Sequence, residues 1–188
     1  MHRWIVVLAI SMLLAGCGAA GGGGPDKFEQ AVDAYVAGDR TALHAAGESA
    51  RALKIKIPDG SVPAIVCEKL TPAERREVFP AFIVDMLDKP TLMSMSEPAR
   101  YLYFRSIAKR FEGVKDMVTS VDSNCGGALG AVSDISTLTA MRKVMLSREE
   151  TWRHALETEY GAQLTPRLAD ARKLLSRNGY ASGALSLD

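Results

Sequence analysis

The sequence is poor in the residues that usually carry catalysis, and it has no recognised catalytic motif. Its 188 residues include three histidines, three cysteines and two tryptophans. No Gly-x-Ser-x-Gly elbow is present, which argues against a serine hydrolase of the α/β type. The glycine runs are not followed by Gly-Lys-Ser/Thr, so no phosphate loop is predicted.

An excess of charge of either sign is also missing. The chain has 23 lysines and arginines against 22 aspartates and glutamates, for a formal net charge of +1. Nucleic-acid binders usually carry a basic excess on one face, so we expect no nucleic-acid partner. The sequence also has no run of like charges that would predict a polybasic membrane-binding patch.

The N-terminus combines one positive side chain, Arg3, with a short apolar run from Trp4 to Ala15. Such a run of about 12 residues is typical of a secretory signal and is too short to span a bilayer as a helix. It ends in Leu14-Ala15-Gly16-Cys17, which resembles the lipobox of bacterial lipoproteins. The resemblance implies cleavage before Cys17 and attachment of diacylglycerol and palmitate-type chains to this cysteine. Two or more acyl chains anchor a protein stably to a membrane.

Positions 18–24, directly after Cys17, read Gly-Ala-Ala-Gly-Gly-Gly-Gly and predict a flexible tether. No aspartate follows the cysteine, which by similarity with enterobacterial lipoproteins implies an outer-membrane location facing the periplasm. We therefore expect a signal peptide at 1–16, a lipidated cysteine with its tether at 17–24, and one helical domain at 25–188. A domain of about 160 residues is long enough to bury its own core.

Lipidation of Cys17 leaves Cys67 and Cys125 as the remaining thiols in an oxidising compartment. A disulfide between them is the prediction, and two buried reduced cysteines are the alternative. Neither cysteine has a second ligand at metal-binding spacing.

Helical periodicity dominates the remaining sequence, and strand signals are few. The pattern predicts an all-α protein, an antiparallel bundle of six or seven helices. Predicted helices cover Pro25–Ala37, ended by Gly38, and a stretch capped by Asp39 that runs to Lys54. Later helix starts are Thr71-Pro72, Ser96 and Ser147, and the chain is expected to bend near Ser147. Pro80 should kink its helix or end the regular first turn, and later ends are Lys89-Pro90, Gly161 and Asn178-Gly179.

Two groups of residues are candidate sites. His154 shares a helix face with Glu150 and Glu157, an arrangement that could hold a metal weakly but is more typical of a solvated face with ion pairs. The second group is Tyr101 with Arg100, Arg105 and Lys109. Tyr101 lies off the apolar stripe of its predicted helix, among basic residues, and Tyr with Arg is typical of protein-binding hot spots. Burial of Tyr101 under the loop from Met93 to Met95 is the alternative.

Three functions compete on this basis. The favoured one is a non-catalytic protein-binding module of the envelope, of the accessory, immunity or exclusion type, with no cofactor beyond the lipid on Cys17. The second is a cell-wall hydrolase that uses paired carboxylates such as Glu149/Glu150 or Asp85/Asp88. The third is a small-ligand or metal carrier that uses His154.

Overall fold

The computed structural model describes residues 25–54, 72–112 and 131–180, and every regular element in these ranges is helical. The α-helices are α1 (Pro25–Ala37), α2 (Arg40–Lys54), α3 (Pro72–Leu87), α4 (Pro90–Met93), α5 (Glu97–Arg110), α6 (Ala131–Tyr160) and α7 (Leu164–Arg177), with a 3-10 turn at Gly161–Gln163. The predicted all-α class is confirmed for these ranges. Cys17, Cys67 and Cys125 lie outside the described residues, so the lipid site and the disulfide stay predictions, as does the bundle arrangement.

The link between α1 and α2 follows directly from two residues. Gly38 adopts a positive φ of 74°, a conformation that glycine accepts without strain, and its N–H donates to the Tyr35 carbonyl at 3.1 Å. The Asp39 N–H donates to the Ala34 carbonyl at 2.8 Å, which completes a Schellman end for α1. The Asp39 carboxylate then accepts the N–H groups of Thr41 and Ala42, each at 3.0 Å, and caps α2. Both predicted boundaries are confirmed.

Two predicted features lie inside continuous helices. Helix α3 begins at Pro72 as predicted but continues through Pro80 to Leu87. Helix α6 runs unbroken for 30 residues, so the helix start predicted at Ser147 is wrong. A single buried stripe explains the continuity of α6, because its core residues keep helical spacing on both sides of Ser147. They are Leu138, Met141, Met145, Trp152 and Leu156.

Helix α5 is buried on almost every side and lies at the centre of the core. It packs against α6 and α7, while α2 packs mainly on α3 and α1 packs on α6. Its buried residues are Pro98, Ala99, Arg100, Tyr101, Leu102, Phe104, Ser106, Ile107 and Ala108. Because core positions occur all around α5, its sequence has no clean polar face.

A reciprocal pair of hydrogen bonds joins α1 to α5. The Tyr35 hydroxyl donates to the Arg100 carbonyl at 2.9 Å, and the Arg100 guanidinium donates to the Tyr35 carbonyl at 2.5 Å. That carbonyl lies in the last turn of α1, where a cation is favourable. The guanidinium also lies 5.5 Å from the ring centroid of Trp152, so a buried positive charge is held by a carbonyl and aromatic faces.

The C-terminal boundaries also agree with the sequence. Gly161 has a φ of 50° between α6 and α7, and Gly179 has a φ of 77° just after α7. The Tyr180 N–H donates to the Leu175 carbonyl at 3.0 Å, which closes the last turn. None of the described helices combines the length and the apolar character that crossing a membrane requires.

Candidate binding groove

The basic face predicted around Tyr101 is partly a core feature. Tyr101 is 1% exposed and Arg100 is 9% exposed, so neither faces water, and of the two alternatives given for Tyr101, burial is confirmed. Helix α6 covers Tyr101, because its ring meets Trp152 edge-on at 5.7 Å and its hydroxyl donates to Glu149 at 2.7 Å. Burial, helped by the bond to the Glu149 carboxylate, raises the pKa of the Tyr101 hydroxyl well above its ordinary value.

The other two residues of that face are only partly covered. Arg105 lies on the same side of α5, with its Nε 3.8 Å from the Glu149 carboxylate. Lys109 is half-buried near the end of the helix. The four residues thus divide into two core positions and two positions near the surface, and they do not form one open patch.

The His154 group does not come together as a metal site. The His154 ring lies 3.2 Å from the Glu157 carboxylate and is largely exposed, and Arg153 binds the same carboxylate at 2.9 Å. Within the described ranges, no three side chains among His, Cys, Asp and Glu are arranged to hold a metal ion. These are surface ion pairs of helical spacing, which contribute little to stability.

Asp85 and Asp88 bind one arginine instead of facing each other across a cleft. The Arg51 guanidinium of α2 donates to Asp88 at 2.7 Å and to Asp85 at 3.2 Å. The His44 ring, also on α2, lies 3.3 Å from Asp88. Asp88 is only 7% exposed, so this cluster fixes the end of α3 against α2 through a largely buried carboxylate.

Close packing of α2 against Asp88 depends on Gly47. A Cβ atom built on Gly47 would lie 2.7 Å from the Cβ atom of Asp88, well inside van der Waals contact. Only glycine therefore allows Asp88 to reach Arg51 across this helix face.

An open groove lies between α1, α2 and α3, and sequence reasoning did not anticipate it. Its volume is about 660 Å³, within the range of ligand sites in proteins. The lining residues are Lys27, Phe28, Gln30, Ala31, Ala42, Ala45, Ala46, Ser49, Ala50, Leu53, Glu77, Pro80, Ala81 and Val84. Small and apolar side chains make up most of this lining.

Helix α2 contributes an uncharged face to the groove. Ala42, Ala45 and Ser49 are exposed, and Ala46 is half-buried beside them. The charged residues of α2, including Glu48 and Arg51, lie on another side of the helix. Exposed helix faces are normally charged, so an exposed face of alanines marks a surface that a partner can cover.

Two charged side chains, Lys27 of α1 and Glu77 of α3, lie at the groove. Both are exposed, and neither forms an ion pair with any residue in the described part of the chain. They contrast with Arg51 and Arg148, which are each bound by two or more carboxylates. Among the described residues, the groove therefore offers one cation, Lys27, and one anion, Glu77, that form no ion pair.

These features define an all-α protein with an open, alanine-lined groove between three helices. No protein-family model matches the chain, and no curated protein and no solved structure matches it.

Proposed function

We propose that this chain is a lipid-anchored, non-catalytic protein-binding module of the bacterial envelope, of the accessory, immunity or exclusion type. Its groove between α1, α2 and α3 is the docking surface. In this proposal Cys17 carries the lipid, residues 18–24 act as the tether, and the protein faces the periplasm from the outer membrane. The helices form an antiparallel bundle, which a Cys67–Cys125 disulfide stabilises.

The observation that carries the proposal is the exposed, uncharged face of α2 inside the groove. Ala42, Ala45 and Ser49 present small side chains to water where a free-standing helix would carry charges. Such a surface is suited to a partner that covers it.

The competing hypotheses have less support. Asp85 and Asp88 are bound by Arg51, and Glu149 accepts a hydrogen bond from Tyr101, so these carboxylates serve packing contacts. No observation favours hydrolysis or transport through His154 over docking.

Lipidation is tested at Cys17. Cys17→Ala is expected to abolish acylation and to leave the signal peptide uncut, because the thiol is the group that accepts the lipid. Intact-mass spectrometry and membrane fractionation measure both effects. Cys67→Ala is the matched control and should be acylated like the parent. Normal processing and membrane attachment of Cys17→Ala would contradict the anchor.

Docking is tested with a photo-crosslinking amino acid at position 45. Ala45 is exposed in the groove, so irradiation of whole cells should give one discrete protein adduct. The same amino acid at Ala155, which is exposed on α6, is the control and should not give this adduct. Equal adducts at both positions, or none at position 45, would rule out the groove as the docking surface.

A further inference from the structure

The groove is suited to a ligand with one apolar and one polar side. Ala31, Ala50 and Ala81 are buried at its base, whereas Ala42 and Ala45 remain exposed. A ligand seated there keeps one side in water. An acyl chain would leave apolar surface exposed on that side, at a cost of about 25 cal/mol per Å². An amphipathic helix buries its apolar stripe and leaves its polar face hydrated.

The lining also permits a helix to approach closely. Alanine side chains on α1, α2 and α3 extend only one carbon from the backbone, and the separation of packed helices depends on the side chains at the contact. Larger side chains from the incoming helix can then fill the volume of about 660 Å³. Helix-in-groove recognition uses such anchors at i, i+3, i+4 and i+7.

The charges of Lys27 and Glu77 indicate which charged residues the partner helix carries beside its apolar stripe. Lys27 is suited to an acidic side chain and Glu77 to a basic one, and neither has an ion-pair partner within the described ranges. Charges at an interface rim act mainly on specificity and association rate.

We infer that the groove binds an amphipathic helix of a partner protein, whose apolar stripe lies on the alanine surface and whose flanks carry an acidic residue for Lys27 and a basic residue for Glu77. This inference rests on the proposed docking function and names the chemistry of the partner.

The test uses synthetic 18-residue helices and the full mature chain in lipid nanodiscs. Binding of each peptide to empty nanodiscs is measured separately and subtracted. One peptide has a leucine stripe at i, i+3, i+4 and i+7 with mixed Glu and Lys flanks. A second has the same composition with the stripe scrambled. The striped peptide should bind at least tenfold tighter than the scrambled one. Ala45→Trp should remove this preference, and Ala155→Trp should keep it.

The charge requirement is tested with reciprocal variants at low salt. Lys27→Glu leaves two acidic groups at the groove and should favour a Lys-flanked striped peptide over a Glu-flanked one by about threefold to fivefold. Glu77→Lys should reverse that preference. Unchanged melting temperatures would show that both variants keep the fold.

Several outcomes overturn the inference. Two of them concern the peptides: equal binding of the striped and scrambled peptides, and an unchanged peptide preference in Lys27→Glu and Glu77→Lys. The other two are binding of a fluorescent fatty acid in place of the peptides and dimerisation that Ala45→Trp abolishes. If position 45 still crosslinks to a protein while the peptides fail, the helix inference fails and the docking proposal stands. If that crosslink is also absent, both fail.

Discussion

Tyr101→Ala is expected to lower the free energy of unfolding by about 3–5 kcal/mol, the range for truncating a buried aromatic side chain to alanine. The ring is 1% exposed and packs edge-on against Trp152 at 5.7 Å. Its removal leaves a cavity between α5 and α6 and takes the hydroxyl donor from Glu149, which accepts from it at 2.7 Å. Urea titration followed by circular dichroism measures the change.

Tyr101→Phe is the matched control, because it keeps the ring and removes only the hydroxyl. It should cost about 1 kcal/mol, the net contribution of one such hydrogen bond, with Arg105 still close to the Glu149 carboxylate. Near-parental stability of Tyr101→Ala would contradict the burial of the ring and return Tyr101 to the list of surface candidates.

Gly47→Ala is expected to destabilise the fold by about 2–3 kcal/mol, although alanine is the better helix former by roughly 0.5–1 kcal/mol. The new Cβ atom would lie 2.7 Å from the Cβ atom of Asp88, so the chain at the end of α3 must move. That movement also disturbs the 2.7 Å bond between Asp88 and Arg51, which fixes α3 against α2. Thermal and urea unfolding measure the loss.

Gly161→Ala is the control that separates the clash of an added Cβ atom from the effect of replacing glycine on backbone conformation. Gly161 has a φ of 50° with no atom within 4 Å of an added Cβ, so Gly161→Ala should cost only about 1 kcal/mol. A Gly47→Ala variant as stable as the parent would show that Asp88 is not packed against this helix face. Because α2 and α3 both line the groove, a destabilising Gly47→Ala should also weaken the docking proposed for it.

Helix boundaries were readable from the sequence because local chemistry decides them. Gly38 ends α1 through a positive φ, Asp39 caps α2 with its own carboxylate, and Pro72 begins α3. Each of these effects acts within a few residues along the chain, so no knowledge of the other helices is needed. The all-α class follows from the same signals.

The groove was only partly readable. The spacing of Leu43, Ala46, Ala50 and Leu53 indicates an apolar side of α2, and Leu43 and Ala50 do lie in the core. Ala46 and Leu53 are only partly buried, and together with Ala50 they line the groove. Ala42, Ala45 and Ser49 give a second signal in the sequence, because they form a helix face with neither charged nor large apolar side chains. Whether such a face is covered or open depends on the helices beside it, which periodicity does not specify.

Tertiary packing alone decided the surroundings of α5 and α6. The position of Tyr101 among basic residues predicts an exposed ring only if α5 lies at the surface, and α5 lies at the centre, with α6 covering Tyr101. The local signal at Ser147 resembles a helix start, but one continuous buried stripe keeps α6 helical through it. The sequence by itself determined the helical class and the helix ends that single residues set. Neighbouring helices determined which faces are buried. At Ser147, the free energy of burying an apolar stripe exceeds the preference of one capping residue for a helix start.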